Sequence, residues 1–285
     1  MGKRKSKYNM KRTVTIPNVL INVIIPVYGR FDLLKQCLDC IPDAMDGLTY
    51  TITLFDNGSP DQTEADKFYS AITNGDTYIT RSKINLGFPK ACNLGSRGGN
   101  APILFFLNSD VFLKPNSVRT LVLAMDDPKI GVVGMKLIFP EETPGVTQNN
   151  NVRPAGKIQH IGLATNIRGE WIHIYLGWDA NHPKVNMVKD VYAVTGAALM
   201  TRRNLWKKAG GFNEIYGNGS YEDCDFCLTI RDMGYNVIVV PEAEATHFAG
   251  GSAEAYKIGF PLNKNRMIFM QRWGDRLNYT QLWHG

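Results

Sequence analysis

The run Ile103-Leu104-Phe105-Phe106-Leu107-Asn108-Ser109-Asp110 puts an acid at the end of an apolar stretch of strand length. Pro102 and Pro115 fence it, so it reads as a short strand buried on both faces, as in a parallel sheet. Such sheets take ligands beyond the carboxyl ends of their strands, where Asp110 could hold a divalent cation or a polar ligand. The plainer reading makes Asp110 a cap for the helix that begins near Pro115. Two more strand readings end in polar groups: the apolar run 19–26 leads into Tyr28 and Arg30, and 50–55 leads into Asp56. Glu222-Asp223 opens a helical pattern, where acids in the first turn complement the helix dipole.

The elements that must position these groups follow from periodicity. A helix over 31–41 carries Leu33, Leu34, Cys37, Leu38 and Ile41 at helical spacing; further helices are read at 62–73, 88–97, 116–125 and 203–209. Strands are read at 77–80, 130–135, 191–200 and 236–240, the 191–200 run being interrupted by Thr195-Gly196. The β-α-β-α alternation of the first ~135 residues predicts a parallel sheet with helices on both faces. The loops after Tyr28, Asp56 and Asp110 would then share one rim. Residues 139–188, rich in Gly, Asn and Pro, read as irregular with antiparallel pieces and as a place for substrate contacts. His160, His173 and His182 fall there and read as structural or solvated. A late run, 243–247, ends in His247.

Bulk properties narrow the class. The 285 residues suffice for one large α/β domain or two small ones, and 44% hydrophobic with 20% charged residues is ordinary for a globular protein. Six of the 32 basic residues (Lys3, Arg4, Lys5, Lys7, Lys11, Arg12) lie in the first twelve positions; the other 26 balance 26 acids. A neutral body with a basic tail argues against a nucleic-acid-binding domain. The tail, 1–18, is expected to be disordered, with weak attraction to anionic surfaces as the sharper alternative. Gly2 fits a myristoylation pattern poorly, and neither a signal peptide nor a membrane span is read, so a cytoplasmic protein is expected. On that view the sequons at Asn57, Asn218 and Asn278 are accidental. The pairs Cys37/Cys40 and Cys224/Cys227 lie far apart in helical patterns and read as core packing rather than zinc ligands.

The ordered set VIIPVYGR (23–30), LFDNGSPD (54–61), NLGFPKACNLG (85–95), FLNSDV (106–111), TGAALMTRR (195–203), GGFNE (210–214), YEDCDFCLTIR (221–231) and His247 resembles family-2 glycosyltransferases. The resemblance is nearest to their rhamnosyltransferase-like group and covers most of 20–250. It implies an α/β GT-A fold: a mostly parallel, Rossmann-like nucleotide-binding sheet flanked by helices, with a smaller mixed or antiparallel acceptor-side part. The nucleotide half would be 19–135, the acceptor half 136–251, and 252–285 a C-terminal helical segment.

The resemblance also implies roles. Pro26 and Tyr28 would border the nucleotide base, Asp56 would hydrogen-bond it, and Asn85, Gly87 and Asn93 would lie along the nucleotide. Arg30 and Lys90 fall in the same donor-binding motifs. Asn108-Ser109-Asp110 stands in place of the family's Asp-x-Asp, its first acid replaced by Asn108. Asp110, with His247 as a further ligand, would bind Mn²⁺ or Mg²⁺ bridging the donor diphosphate. Asp223 would be the catalytic base, with Glu222 orienting the acceptor, and Thr195, Gly196 and Glu214 would lie on the acceptor side. One base opposite the leaving group implies inversion. The expected partners are a UDP- or dTDP-linked sugar and a glycan or lipid-linked glycan. The C-terminal segment would either pack on the domain or lie on a membrane. A sugar nucleotidyltransferase and a Rossmann dehydrogenase are disfavoured by the missing Gly-rich phosphate loop after the first strand. A non-catalytic glycan-binding module is the other alternative.

Overall fold

The computed structural model describes residues 20–73, 75–141, 145–146, 152–165 and 170–277. The basic tail, Gly2 and the sequon at Asn278 lie outside them. The first half runs β1 (Ile21–Val27), α1 (Phe31–Met45), β2 (Tyr50–Asp56), α2 (Gln62–Ser70), β3 (Thr77–Arg81), α3 (Phe88–Gly95) and β4 (Ile103–Leu107). Then come β5 (Val111–Leu113), α4 (Ser117–Ala124), β6 (Ile130–Ile138) and the short strands β7 (Gly145–Val146), β8 (Val152–Arg153), β9 (Ile158–His160), β10 (Leu163–Thr165), β11 (Trp171–His173) and β12 (Lys189–Asp190). The chain closes with β13 (Ala198–Arg202), α5 (Arg203–Ala209), α6 (Glu222–Asp232), β14 (Asn236–His247), α7 (Gly251–Ala255) and α8 (Leu262–Trp273).

One sheet, ordered β12-β14-β6-β13-β4-β1-β2-β3, passes through both halves. Strands β3, β2, β1 and β4 are parallel neighbours, as the β-α alternation requires. Their apolar residues alternate between two cores. Ile21, Val23, Ile25, Ile103, Phe105 and Leu107 pack with α1, α2 and α4; Ile24, Leu104 and Phe106 pack with α3, α5, α6 and α8. Both faces of β1 and β4 are covered, which is why β4 reads as an unbroken apolar run and β1 as one interrupted only by the buried Asn22. Four of the five cysteines are buried and all are free thiols, in keeping with core packing of the two C-x-x-C pairs.

Three departures from the sequence reading have local causes. The strand expected at 191–200 is Ala198–Arg202, and it runs antiparallel between β4 and β6. The preceding backbone is taken by side chains: Thr195 N–H donates to His160 Nε2 (3.3 Å) and Gly196 N–H to Asp223 Oδ2 (2.9 Å). Helix α1 continues through Pro42 to Met45. β14 is one twelve-residue strand across Pro241, because a register shift between Val240 and Glu244 absorbs the proline. Its end pairs antiparallel with β5, His247 opposite Val111.

The C-terminal helix packs on the domain. Asn265, Phe269 and Trp273 of α8 are buried, and Asp225 of α6 accepts hydrogen bonds from Trp273 Nε1 (2.6 Å) and Arg272 Nε (2.8 Å). Met267, Leu262 and Phe260 remain exposed. Among the described residues no helix is long and apolar enough to cross a membrane.

Candidate functional site

A cleft of about 330 Å³ opens at the carboxyl ends of β1 and β4, with walls from the start of β13 and α6, the end of β14, and the segment through α7. Pro26, Tyr28, Asn85, Asn108, Ser109, Asp110, Thr195, Gly196, Glu222, Asp223 and His247 all line it. Antiparallel β13 brings its beginning, rather than its end, to the same rim.

Asp110, 7% exposed, is held by Gly251 N–H donating to Oδ2 (3.2 Å), while Phe248 N–H donates to its carbonyl (2.9 Å). His247 Nε2 lies 3.3 Å from Asp110 Oδ1, yet that nitrogen is buried without a hydrogen-bond partner. Gln159 explains the arrangement. Its amide nitrogen donates to His247 O (3.0 Å), so its Oε1 must face the ring, 2.6 Å from Nδ1. Nδ1 therefore carries the proton, and Nε2 presents a lone pair toward a carboxylate oxygen. Two acceptors facing one another across a buried gap fit a cation between them, with one oxygen and one imidazole donor suited to Mn²⁺ or, with more water, Mg²⁺. No cluster of three or more His, Cys, Asp or Glu occurs among the described residues, so the remaining ligands would be substrate and water. Burial works against the Asp110 carboxylate, but positive charge on the His247 side and the Gly251 N–H hold its pKa below the usual range; with the ring neutral, a cation in the gap would supply that charge.

The second charged feature is the start of α6. Asp223 accepts from Gly196 N–H through Oδ2 and from Cys224 N–H through Oδ1 (2.8 Å). Burial raises its pKa, and those two N–H groups restrain the rise. Glu222, 4% exposed, is pushed well up by burial and by Asp223 beside it, and its Oε2 has no hydrogen-bond partner. The pair thus divides into a carboxyl that keeps its proton, Glu222, and a carboxylate that gives its proton up first, Asp223. The turn presenting them is strained: Ser220 and Tyr221 have φ of 77° and 79°, a conformation costing about 1–2 kcal/mol per residue for L side chains. Asn265, fully buried on α8, holds that turn by donating from Nδ2 to the carbonyls of Tyr216 (3.0 Å), Gly219 (2.9 Å) and Ser220 (3.0 Å).

The structure places the other expected residues away from the cleft. Asp56 is fully buried, its carboxylate accepting from Ser59 N–H (2.8 Å) and Arg81 Nε (3.0 Å), while Asn57, one residue on, lines the cleft. Asn57 and Asn85 are joined, Nδ2 to Oδ1 at 2.9 Å. Arg30 turns to Asp32 in a two-pronged pair (2.9 and 2.8 Å). Asn93 staples α3 to the 212–214 turn, bonding the Phe212 backbone and Glu214 Oε1 (3.0 Å), and Lys90 lies 3.8 Å from the same Glu214. Asn93, Lys90 and Glu214 thus form a structural clasp. Gly87, at φ +84°, supports the rim from behind: a Cβ there would meet Gly217 O at 2.1 Å. Buried His160 pairs with half-buried His173 (Nδ1 to Nδ1, 3.0 Å), and desolvation lowers both, His173 to about 4. His182 caps a short turn by accepting from Lys184 N–H. Gln159, Asn265 and Asn57 escaped the sequence reading; lone amides carry no pattern that would have singled them out.

A four-stranded parallel half with its ligand cleft at the carboxyl ends, closed by one antiparallel strand, is the GT-A fold. A 15% identical structure of GalNAc-T7, described with UDP, GalNAc and Mn²⁺, superposes with a TM-score of 0.70 over 90% of this chain and 48% of that one. The family model described as "Glycosyl transferase family 2" matches residues 22–207, so the chain belongs to that family. The matched span contains Tyr28 and Asp110 and stops short of Glu222, Asp223 and His247. An uncharacterized protein of Sinorhizobium fredii, y4gI, is 26% identical over 242 residues, 82% of this chain and 25% of its own. The O-antigen biosynthesis protein RfbC of Myxococcus xanthus is 22% identical over 245 residues, 82% of this chain and 18% of its own. The chain thus spans a quarter or less of the length of these curated relatives.

Proposed function

We propose that this chain moves a sugar from a UDP- or dTDP-linked donor to a hydroxyl of a glycan or lipid-linked glycan, with inversion at the anomeric carbon. The observation that carries the reading is the Asp110–His247 pair, two buried acceptors 3.3 Å apart in a cleft that also holds a separate carboxylate of raised pKa. Asp110 Oδ1 and His247 Nε2 would hold Mn²⁺ or Mg²⁺, which supplies Lewis-acid neutralisation of the departing diphosphate. Pro26 and Tyr28 flank the nucleotide base, with Asn57 and Asn85 along its edge in place of the buried Asp56. Asp223 takes the proton of the acceptor hydroxyl as that oxygen attacks the anomeric carbon and the diphosphate leaves from the opposite face. Glu222, protonated, donates a hydrogen bond to the acceptor. Positioned base catalysis of this kind contributes on the order of 10²- to 10⁴-fold. A lipid-linked acceptor would bring the protein to the inner face of a membrane, and the exposed Phe260, Leu262 and Met267 supply an apolar lip for such peripheral contact.

The test is a donor screen with UDP-, dTDP- and GDP-sugars and Mn²⁺, reading released nucleoside diphosphate. Release from one donor, abolished by EDTA and by Asp110→Ala, is the expected result. Release that persists undiminished in Asp110→Ala overturns the metal assignment; absence of binding to any nucleotide sugar overturns the function.

A further inference from the structure

A second cleft, about 420 Å³, shares Ser220 and Asp223 with the first, and its wall includes Glu170, Trp171, His173, Tyr221 and Arg266. We propose that this cleft is the acceptor subsite and that it takes a neutral saccharide ring. The proposal deepens the transferase reading and rests on Asp223 as the base.

Three observations carry it. First, a base in a single displacement must reach the acceptor hydroxyl while the donor occupies the other cavity, and Asp223 stands in the walls of both clefts. Second, the lining suits a sugar. Trp171 is held edge-to-face by Phe269 (centroids 5.4 Å apart, planes at 81°), and its buried indole Nε1–H has no hydrogen-bond partner. Ring faces of Trp and Tyr pack against the apolar face of a pyranose. Third, the cation in the lining is already paired. Arg266 Nη1 and Glu170 Oε1 pair at 3.0 Å, offering donors and acceptors to sugar hydroxyls with no net charge. Burial lowers the His173 pKa to about 4, so its ring is neutral at pH 7. Asp223 leaves the cleft with a net negative charge, which disfavours a uronate or phosphorylated ring.

The test uses the full chain with Mn²⁺ and the donor found above. The acceptor probes are 4-nitrophenyl glycosides of glucose, galactose and N-acetylglucosamine, with the glucuronide as the anionic comparison. Binding is read by saturation-transfer NMR and transfer by steady-state kinetics. Trp171→Ala and Arg266→Ala should each raise the acceptor KM roughly tenfold, about 1.4 kcal/mol of lost binding. The donor KM should stay within about twofold, because neither side chain lines the donor cleft. Neutral glycosides should bind and the glucuronide bind more weakly. Because Trp171 packs on Phe269, a UDP-induced thermal shift is run on each variant to show that it folds, and Arg266→Ala provides the independent substitution. If both folded variants keep the parent's acceptor KM, or the glucuronide binds best, the subsite assignment is overturned and the transferase reading stands. If the parent turns over no nucleotide sugar, the function falls. Saturation of neutral glycosides that is lost in Trp171→Ala would then uphold the cleft as a saccharide site but not as an acceptor subsite, and no saturation in the parent would overturn both.

Discussion

Replacing Gln159 by leucine tests the proposed metal site through a residue that would never touch the metal. Gln159 makes two bonds to His247, one to the ring and one to the backbone carbonyl, and through them fixes which nitrogen faces Asp110. Leucine fills the space but leaves Nδ1–H and the carbonyl without partners. Each buried orphan costs about 1–3 kcal/mol, so a total loss of roughly 2–4 kcal/mol is expected after partial relaxation. For a domain of this size that lowers Tm by about 5–15 °C. The ring, freed to turn, should bind metal about 10- to 100-fold more weakly, the usual cost of losing an outer hydrogen bond to a ligating histidine. Gln159→Glu is the paired control. Its carboxylate still accepts from Nδ1–H and makes the ring a better donor, so Mn²⁺ affinity should be held or increased while the bond to the carbonyl is lost. The assay is Mn²⁺ titration by electron paramagnetic resonance at saturating UDP, below the Tm of every variant. A Gln159→Leu chain that binds Mn²⁺ within about threefold of the parent would refute the argument from tautomer and orientation.

Two further outcomes follow from the start of α6. Asp223→Asn should lower transfer by about 10²- to 10⁴-fold with the donor KM retained. In the parent, kcat should fall with pH on an acidic limb placed above the ordinary aspartate range, because burial raises the pKa of the group that must be ionised. Glu222, also raised, favours its protonated form in the folded state. Its contribution to stability is therefore complete below the usual carboxylate range and is lost as pH rises through its elevated pKa. Glu222→Gln cannot ionise, so urea melts across a pH series should show that alkaline-going loss in the parent and a flatter profile in the variant; parallel profiles would contradict the assignment. Asn265→Ala strips three carbonyls of the turn before α6 of their donor and should cost about 1–3 kcal/mol in denaturation. Since that turn presents Asp223, kcat should fall while the donor KM holds, and a variant losing stability with kcat intact would show the clamp to be purely structural.

Strand-borne features were readable because of how the sheet is built. With both faces covered, β4 is an unbroken apolar run and β1 is broken only by Asn22, so their ends stand out, and Asp110 and Tyr28 lie where those ends place them. Direction at a strand end is a different matter. At the end of β2 the side chain of Asp56 points into Arg81 and Ser59, and its neighbour Asn57 faces the cleft; one residue switches the face, and no spacing rule distinguishes them. Asn93, Lys90 and Glu214 look polar and available in sequence, yet tertiary contact spends them on one another. The antiparallel insertion of β13 was hidden because Val191 to Val194 is apolar but not laddered with β4 or β6, its burial coming from the second core instead.

The pairing of β5 with the end of β14 also bears on the order in which the molecule becomes competent. The bond from Gly251 to Asp110 spans 141 positions of sequence, and His247 arrives at the same place on the last long strand. The parallel half, β1 to β4, can close around its own local crossovers without either partner. Without β14 docked beside β5, Asp110 lacks both the His247 imidazole and the Gly251 N–H, so the proposed cation pair depends on that docking. Metal affinity at the proposed site would therefore report on the docking of β14: a chain lacking that strand would keep its parallel half and lack the imidazole.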